Sequence, residues 1–104
     1  MGTAQDFTAF NDGHVRLNVL RLLHKTPNYT ANSAVLQLAV DAMGLACTHD
    51  QMRGHLAWLG EQRLVALLNT NTQAGLVVAT LTERGDDVGQ GRSVIAGVQR
   101  PAAE

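Results

Sequence analysis

Thr48-His49-Asp50-Gln51-Met52-Arg53-Gly54-His55-Leu56-Ala57-Trp58-Leu59-Gly60-Glu61-Gln62-Arg63-Leu64-Val65 is the stretch whose reading decides the fold. Thr48 is a good N-cap, and Gln51 three residues on completes a capping box, so that each side chain satisfies a backbone N–H at the helix start. Met52, Leu56 and Leu59 recur at i, i+4 and i+7, which is one face of an amphipathic helix. After Gln62 the pattern changes to an apolar run, Leu64 to Leu68, the signature of a strand. A capped helix that runs almost directly into a strand is expected here, packed on whatever helices precede it.

Working back from this stretch, a first helix is expected to begin after Asn11 or Asp12 and to end before Thr26-Pro27, a strong stop. Residues 1–11 then form a short arm, and its Phe7 and Phe10 are expected to pack on the domain's own core. Val15, Val19, Leu22 and Leu23 form the core stripe of the helix. Leu17 and Leu20 lie on roughly the opposite side by the helical rotation of about 100° per residue. A helix with two apolar sides must bury both, and a second copy of the chain is the expected cover, giving a homodimer. Asn32 or Thr30 caps a second helix from about Ser33 to Met43, ended by Gly44. Val35, Leu36, Ala39, Val40 and Met43 give that helix a broad apolar face. Leu45-Ala46-Cys47 is a candidate short first strand.

Working forward, Asn69 to Gly75 is a polar, turn-forming tip and Leu76 to Leu81 a return strand rich in β-branched residues, so the two strands make a hairpin. Thr82-Glu83-Arg84-Gly85 closes it and starts a short helical turn through Val88. The expected organisation is an arm at 1–11, one domain at 12–88 and an irregular tail at 89–104, with Val94, Ile95 and Val98 packed down.

The totals bound the function. A chain of 104 residues with 45% hydrophobic and 16% charged residues is globular and large enough to bury a core without metals or disulfides. The 8 Lys and Arg against 9 Asp and Glu leave no basic surplus, which counts against nucleic-acid binding because phosphate contacts supply so much of that affinity. The single Cys47 cannot form an internal disulfide and suits a reducing compartment. No apolar run reaches the roughly 18 residues of a membrane span, and neither a signal peptide nor a myristoylation motif is legible at the start. The expected location is the cytoplasm.

Helix, helix, helix and hairpin in this order resembles the winged helix-turn-helix superfamily, mainly α with a small antiparallel β-hairpin. Leu56 to Val65 is similar to the junction of third helix and wing in winged-helix repressors, "L-x-x-L-x-x-x-G-L-V", with Arg63 in place of the usual glycine. Leu81-Thr82-Glu83-Arg84-Gly85 resembles the "L-T-x-x-G" that follows the wing. The tail from Gly91 to Pro101 is similar to that of small winged-helix proteins of Mu-like transposable phages. The resemblance covers nearly the whole chain. It implies a small phage-type transcriptional regulator that docks its third helix on duplex DNA, with contacts from His49, Gln51, Arg53 and Arg63.

The chemistry of the third helix points elsewhere. With Met52, Leu56 and Leu59 inward, the outward positions are Asp50, Arg53, Gly54, Ala57, Trp58 and Glu61. Only Arg53 is a natural reader of bases or phosphates, two carboxylates repel phosphate, and the hairpin tip carries no Lys or Arg. Small residues one turn apart beside an aromatic suit close packing on protein. The alternative is therefore an interaction module, with Leu17, Leu20, Gly54, Ala57 and Trp58 at its interface. The plainer reading of Trp58 is a ring folded under the wing.

No enzyme is expected. Cys47, His49 and His55 match no standard zinc spacing, so neither metal nor cofactor is anticipated. Gly89-Gln90-Gly91-Arg92-Ser93 lacks the Lys and first Gly of a phosphate loop. Asp86-Asp87 has no catalytic partner nearby, and Ser33 and Ser93 have no evident histidine.

Overall fold

The computed structural model describes residues 4–69 and 75–102. Helix α1 spans Ala4–Lys25, strand β1 Thr30–Asn32, helix α2 Ser33–Ala42, helix α3 His49–Glu61, strands β2 and β3 Val65–Asn69 and Val77–Leu81, and helix α4 Glu83–Gly89. The fold is mainly helical, with one small antiparallel sheet in the order β1-β3-β2. Ala79 of the central strand faces Ala31 on one side and Leu67 on the other, and is fully buried. The tip expected between the hairpin strands falls at residues 70–74, outside the described residues.

The local signals act as their chemistry requires. Asn32 caps α2 by accepting from Val35 N at 2.9 Å. Thr48 Oγ1 accepts from Gln51 N at 3.1 Å while Gln51 Oε1 accepts from Thr48 N at 2.9 Å, which closes the capping box of α3. Met52, Leu56 and Leu59 are all fully buried, and with Val15, Val19, Leu23, Leu36, Val40 and Leu64 they form the centre of the core.

Four expectations are corrected. First, α1 starts at Ala4, so residues 4–11 are helical turns and not an arm. Asn11-Asp12-Gly13 looks like a boundary because these residues favour turns, but here they lie inside the helix. The C-terminal segment crosses α1 at Gly13: a Cβ there would stand in ordinary contact, 3.4 Å from Gln99 N, which donates to Gly13 O at 3.1 Å. Phe7 and Phe10 are 75% and 58% exposed and not in the core. The Phe10 ring meets His14 edge-on, with centroids 4.5 Å apart.

Second, Leu17 and Leu20 are covered within the chain, with 4% and 0% exposure. Gly13, Leu17 and Leu20 share one face of α1. Gln99 covers one end of that face, and at the other a Cβ on Gly89 would come within 3.1 Å of Leu20 Cβ. α4 and the segment after it therefore do what a second copy was expected to do. Val98 of that segment is buried and Ile95 packs on the core, whereas Val94 stays exposed.

Third, the short first strand is Thr30–Asn32, at the residues expected only to cap α2, and Leu45-Ala46-Cys47 is not a strand. β1 pairs with β3 and is reinforced where Thr30 Oγ1 meets Thr80 Oγ1 at 2.9 Å. Fourth, the broad apolar face of α2 splits. Leu36 and Val40 are buried, but Val35, Leu38 and Met43 are 53%, 65% and 50% exposed.

Candidate interaction surface

The two sequence patterns on either side of the hairpin meet in space. Gln62 caps the end of α3, and Arg63 adopts a left-handed backbone with φ of 62°. That conformation favours glycine, which explains the glycine that similar sequences place there. Thr82 caps α4 by accepting from Gly85 N at 3.0 Å, and its hydroxyl lies 2.8 Å from Arg63 O and 2.9 Å from Leu64 O. A Cβ on Gly85 would overlap the Leu64 carbonyl, standing 2.8 Å from its carbon. Arg84 Nε adds a bond to Gln62 O at 3.0 Å. This corner fixes the direction in which α3 hands the chain to the sheet.

The outward side of α3 is composed differently. Asp50, Gly54, Ala57 and Glu61 are exposed, and nothing within 4 Å would touch a Cβ added at Gly54. Arg53 is ion-paired with Asp50, whose side chain is 82% exposed. The Arg53 guanidinium also lies beside Gly75 at the start of the return strand. The other residues expected to read DNA are tied in place as well. Gln51 is held in the capping box. His49 Nε2 lies 2.8 Å from Ser33 Oγ, which also accepts Val77 N at 3.1 Å. Arg63 alone of the four is exposed without a role inside the helix start.

Ser33 does have a histidine, contrary to expectation. It is fully buried, and the Ser33–His49–Val77 cluster joins α2, α3 and β3. Sequence offers no signal for it, because neither residue sits at a spacing that marks a pair.

Trp58 is half-buried, and among the described residues Arg16 and Gly97 of the C-terminal segment lie against its ring. Arg16 Cζ sits 4.2 Å from the indole centroid, a cation–π contact. A Cβ on Gly97 would stand 2.6 Å from Trp58 Cζ2, so only glycine fits against the ring. Arg16 also donates from one Nη to Gly97 O at 3.1 Å and from Nε to His55 Nδ1 at 3.2 Å. On its other edge, His55 Nε2 lies 3.6 Å from Asp12 Oδ1. Burial first, then the charge of Arg16, pushes the His55 pKa below its ordinary value, while Asp12 acts the other way. A cleft of about 300 Å³ lies beside this group, lined by Phe7, Asp12, Ala46, Gln51 and His55 among others.

Cys47, His49 and His55 are not brought together. Cys47 is buried with its Sγ 3.4 Å from Thr48 O, and burial, followed by Asp12 and Asp41, pushes its thiol pKa up, away from a reactive thiolate. Among the described residues no three His, Cys, Asp or Glu side chains are grouped to hold a metal ion. Asp86 and Asp87 bind Arg92 at 3.2 and 2.9 Å, and Asp86 also meets His24 Nδ1 at 2.7 Å. These contacts fasten α4 to the end of α1. Among the described residues no helix is long and apolar enough to cross a membrane.

Comparison with known sequences places these features in a lineage. Over 86 residues the chain is 45% identical to "Uncharacterized protein gp26" of Escherichia phage Mu, a match covering 83% of this chain and 85% of that protein. Over 69 residues it is 36% identical to an uncharacterized protein of Haemophilus influenzae, covering 66% of this chain and 65% of that one. No family model matches, and no solved structure matches. The extent and identity of the first match are enough to conclude that the chain belongs to the family of phage Mu gp26.

Proposed function

We propose that the chain is a winged helix-turn-helix used as a protein-interaction module. The element order α1-β1-α2-α3-β2-β3 supports the fold, as do the two junction patterns, which meet at one corner of it. The observation that carries the function is the composition of the exposed helical faces. α3 offers Asp50, Gly54, Ala57 and Glu61, and its one cation is neutralised by Asp50. α2 offers Val35, Leu38 and Ala42 at i, i+3 and i+7, all exposed, and carries no Lys or Arg. Apolar and small residues with a thin acidic rim fit a protein surface and repel a phosphate backbone.

A second copy of the chain is one such partner. The expected homodimer then forms through α2, since the second side of α1 is covered. In this reading Ser33, fully buried, and His49, half-buried, serve as a tie between α2, α3 and β3. Duplex DNA is the second reading, favoured by the element order and by exposed Arg63 at the end of α3.

The test is a pair of surface variants, Leu38→Asp and Ala57→Arg. Each should leave thermal stability within about 0.5 kcal/mol of the unsubstituted chain, as exposed sites do. Solution mass and pairwise binding to the proteins encoded beside this chain should report the loss of a complex. If both variants match the unsubstituted chain in mass and in every pairing, the interaction reading fails.

A further inference from the structure

We propose that His55 is a proton-operated latch that holds the C-terminal segment over Trp58. The tautomer follows from the geometry. A guanidinium only donates, so the Arg16 Nε–H bond at 3.2 Å requires a bare lone pair on His55 Nδ1. The single proton of the neutral ring is then on Nε2, the edge facing Asp12 at 3.6 Å. The same Arg16 holds Gly97 O at 3.1 Å and lies over the Trp58 ring at 4.2 Å. One side chain thus reads the state of the imidazole and fastens the segment that covers the indole.

A second proton can bind only at Nδ1. It converts the acceptor into a donor facing a donor, and sets two cations within hydrogen-bond distance. Arg16 must then leave His55, and with it go the contacts that close Gly97 onto Trp58. The groups facing His55 have opposed effects. From α1, Asp12 favours the charged ring and Arg16 opposes it; the thiol of Cys47 is influenced by the same Asp12 and does not act on His55. Its neighbours on the same side of α3, Gln51, Met52 and Leu59, do not titrate in acid, nor do Gly97, Val98 and Gln99 of the covering segment.

The direction of the His55 shift agrees with this geometry. The closed form prefers the neutral ring, so this contribution to closure is complete above the ordinary histidine value of about 6.5. It is lost as the pH falls towards the lowered value of the closed form. The latch does not depend on what α3 or α2 docks against. Its opening uncovers the only tryptophan of the chain, at the flank of α3.

Trp58 is therefore its own reporter. Its emission, followed from about pH 7.5 to 4.5, should shift to the red in a one-proton transition with a midpoint below about 6.5, with helix content unchanged. His55→Asn keeps an acceptor oxygen near the Nδ1 position and cannot titrate, so its emission should stay flat. The same transition in His55→Asn, or none in the unsubstituted chain, would overturn the proposal. Hydrogen exchange on the unsubstituted chain gives an answer that needs no variant. Protection of the Gln99 amide, corrected for intrinsic rates, should fall about tenfold between pH 7 and 5 while the β3 amides hold theirs. Equal loss in both, or loss in neither, contradicts the latch.

Discussion

The corner where α3 enters the sheet and the exposed face of α3 one turn earlier are parts of the same few residues' work, yet they are built in opposite ways. At the corner the contacts are made within the chain: the Thr82 hydroxyl meets the Arg63 and Leu64 carbonyls, Arg84 binds Gln62, and Gly85 leaves no room for a methyl group. On the exposed face a Cβ on Gly54 would meet nothing within 4 Å, and among the described residues the charged contact is that between Arg53 and Asp50. The corner is complete in itself. The face has small and acidic residues with nothing yet set against them. The motifs that resemble a winged-helix pattern thus come from the part of the molecule that builds the fold, and they carry little information about what the fold is used for.

Substitutions can break or sharpen this contrast. The largest effect belongs to Gly85→Ala at the corner, where the new Cβ would overlap a backbone carbonyl that cannot move freely. A loss of about 3 kcal/mol is expected in denaturant unfolding. A similar loss, about 3 kcal/mol, should follow Leu20→Ala, since that side chain is fully buried against α4. The loss should be independent of protein concentration, because the cover lies within the chain; a concentration-dependent loss would restore α1 as a dimer face. Thr82→Ala removes a cap and two carbonyl contacts and should cost about 1.5 kcal/mol.

The smaller effects change sign. Arg63→Gly relieves a left-handed arginine and should stabilise the chain by about 1 kcal/mol, seen as a raised Tm. Gly54→Ala, in open space on a helix, should stabilise by a similar amount, about 1 kcal/mol. If it also weakens a partner complex, the glycine is there for close approach by that partner and not for the fold. No loss of partner binding would reduce Gly54 to a neutral surface position.

The sequence discloses what is local. Thr48 and Gln51 stand three apart and close their capping box, the apolar period of α3 marks its buried side, and Thr82 caps α4. What escapes it is contact between distant segments, which leaves no period. Arg16 finds His55 and Gly97, and Gly89 covers Leu20, through pairings that no spacing rule encodes. Those missing contacts account for the mistaken dimer face on α1 and for the contact of Trp58 with the C-terminal segment going unforeseen. Gly13 misled in another way: a residue type that usually ends helices lies inside this one, where Gln99 passes over it. Of the candidate readers of DNA, His49, Gln51 and Arg53 lie on α3, but the sequence could not show that each of them is engaged within the chain.

The central claim is that the exposed face of α3 is made for protein and not for duplex. Titrating a fluorescent mixed-sequence duplex with the chain at about 50 mM salt tests it most directly, since low salt favours any phosphate contact. No saturable binding is predicted up to about 100 µM protein, the weak end of non-specific affinity. Saturable binding that falls steeply with added salt and disappears in Arg53→Ala and Arg63→Ala would contradict the account.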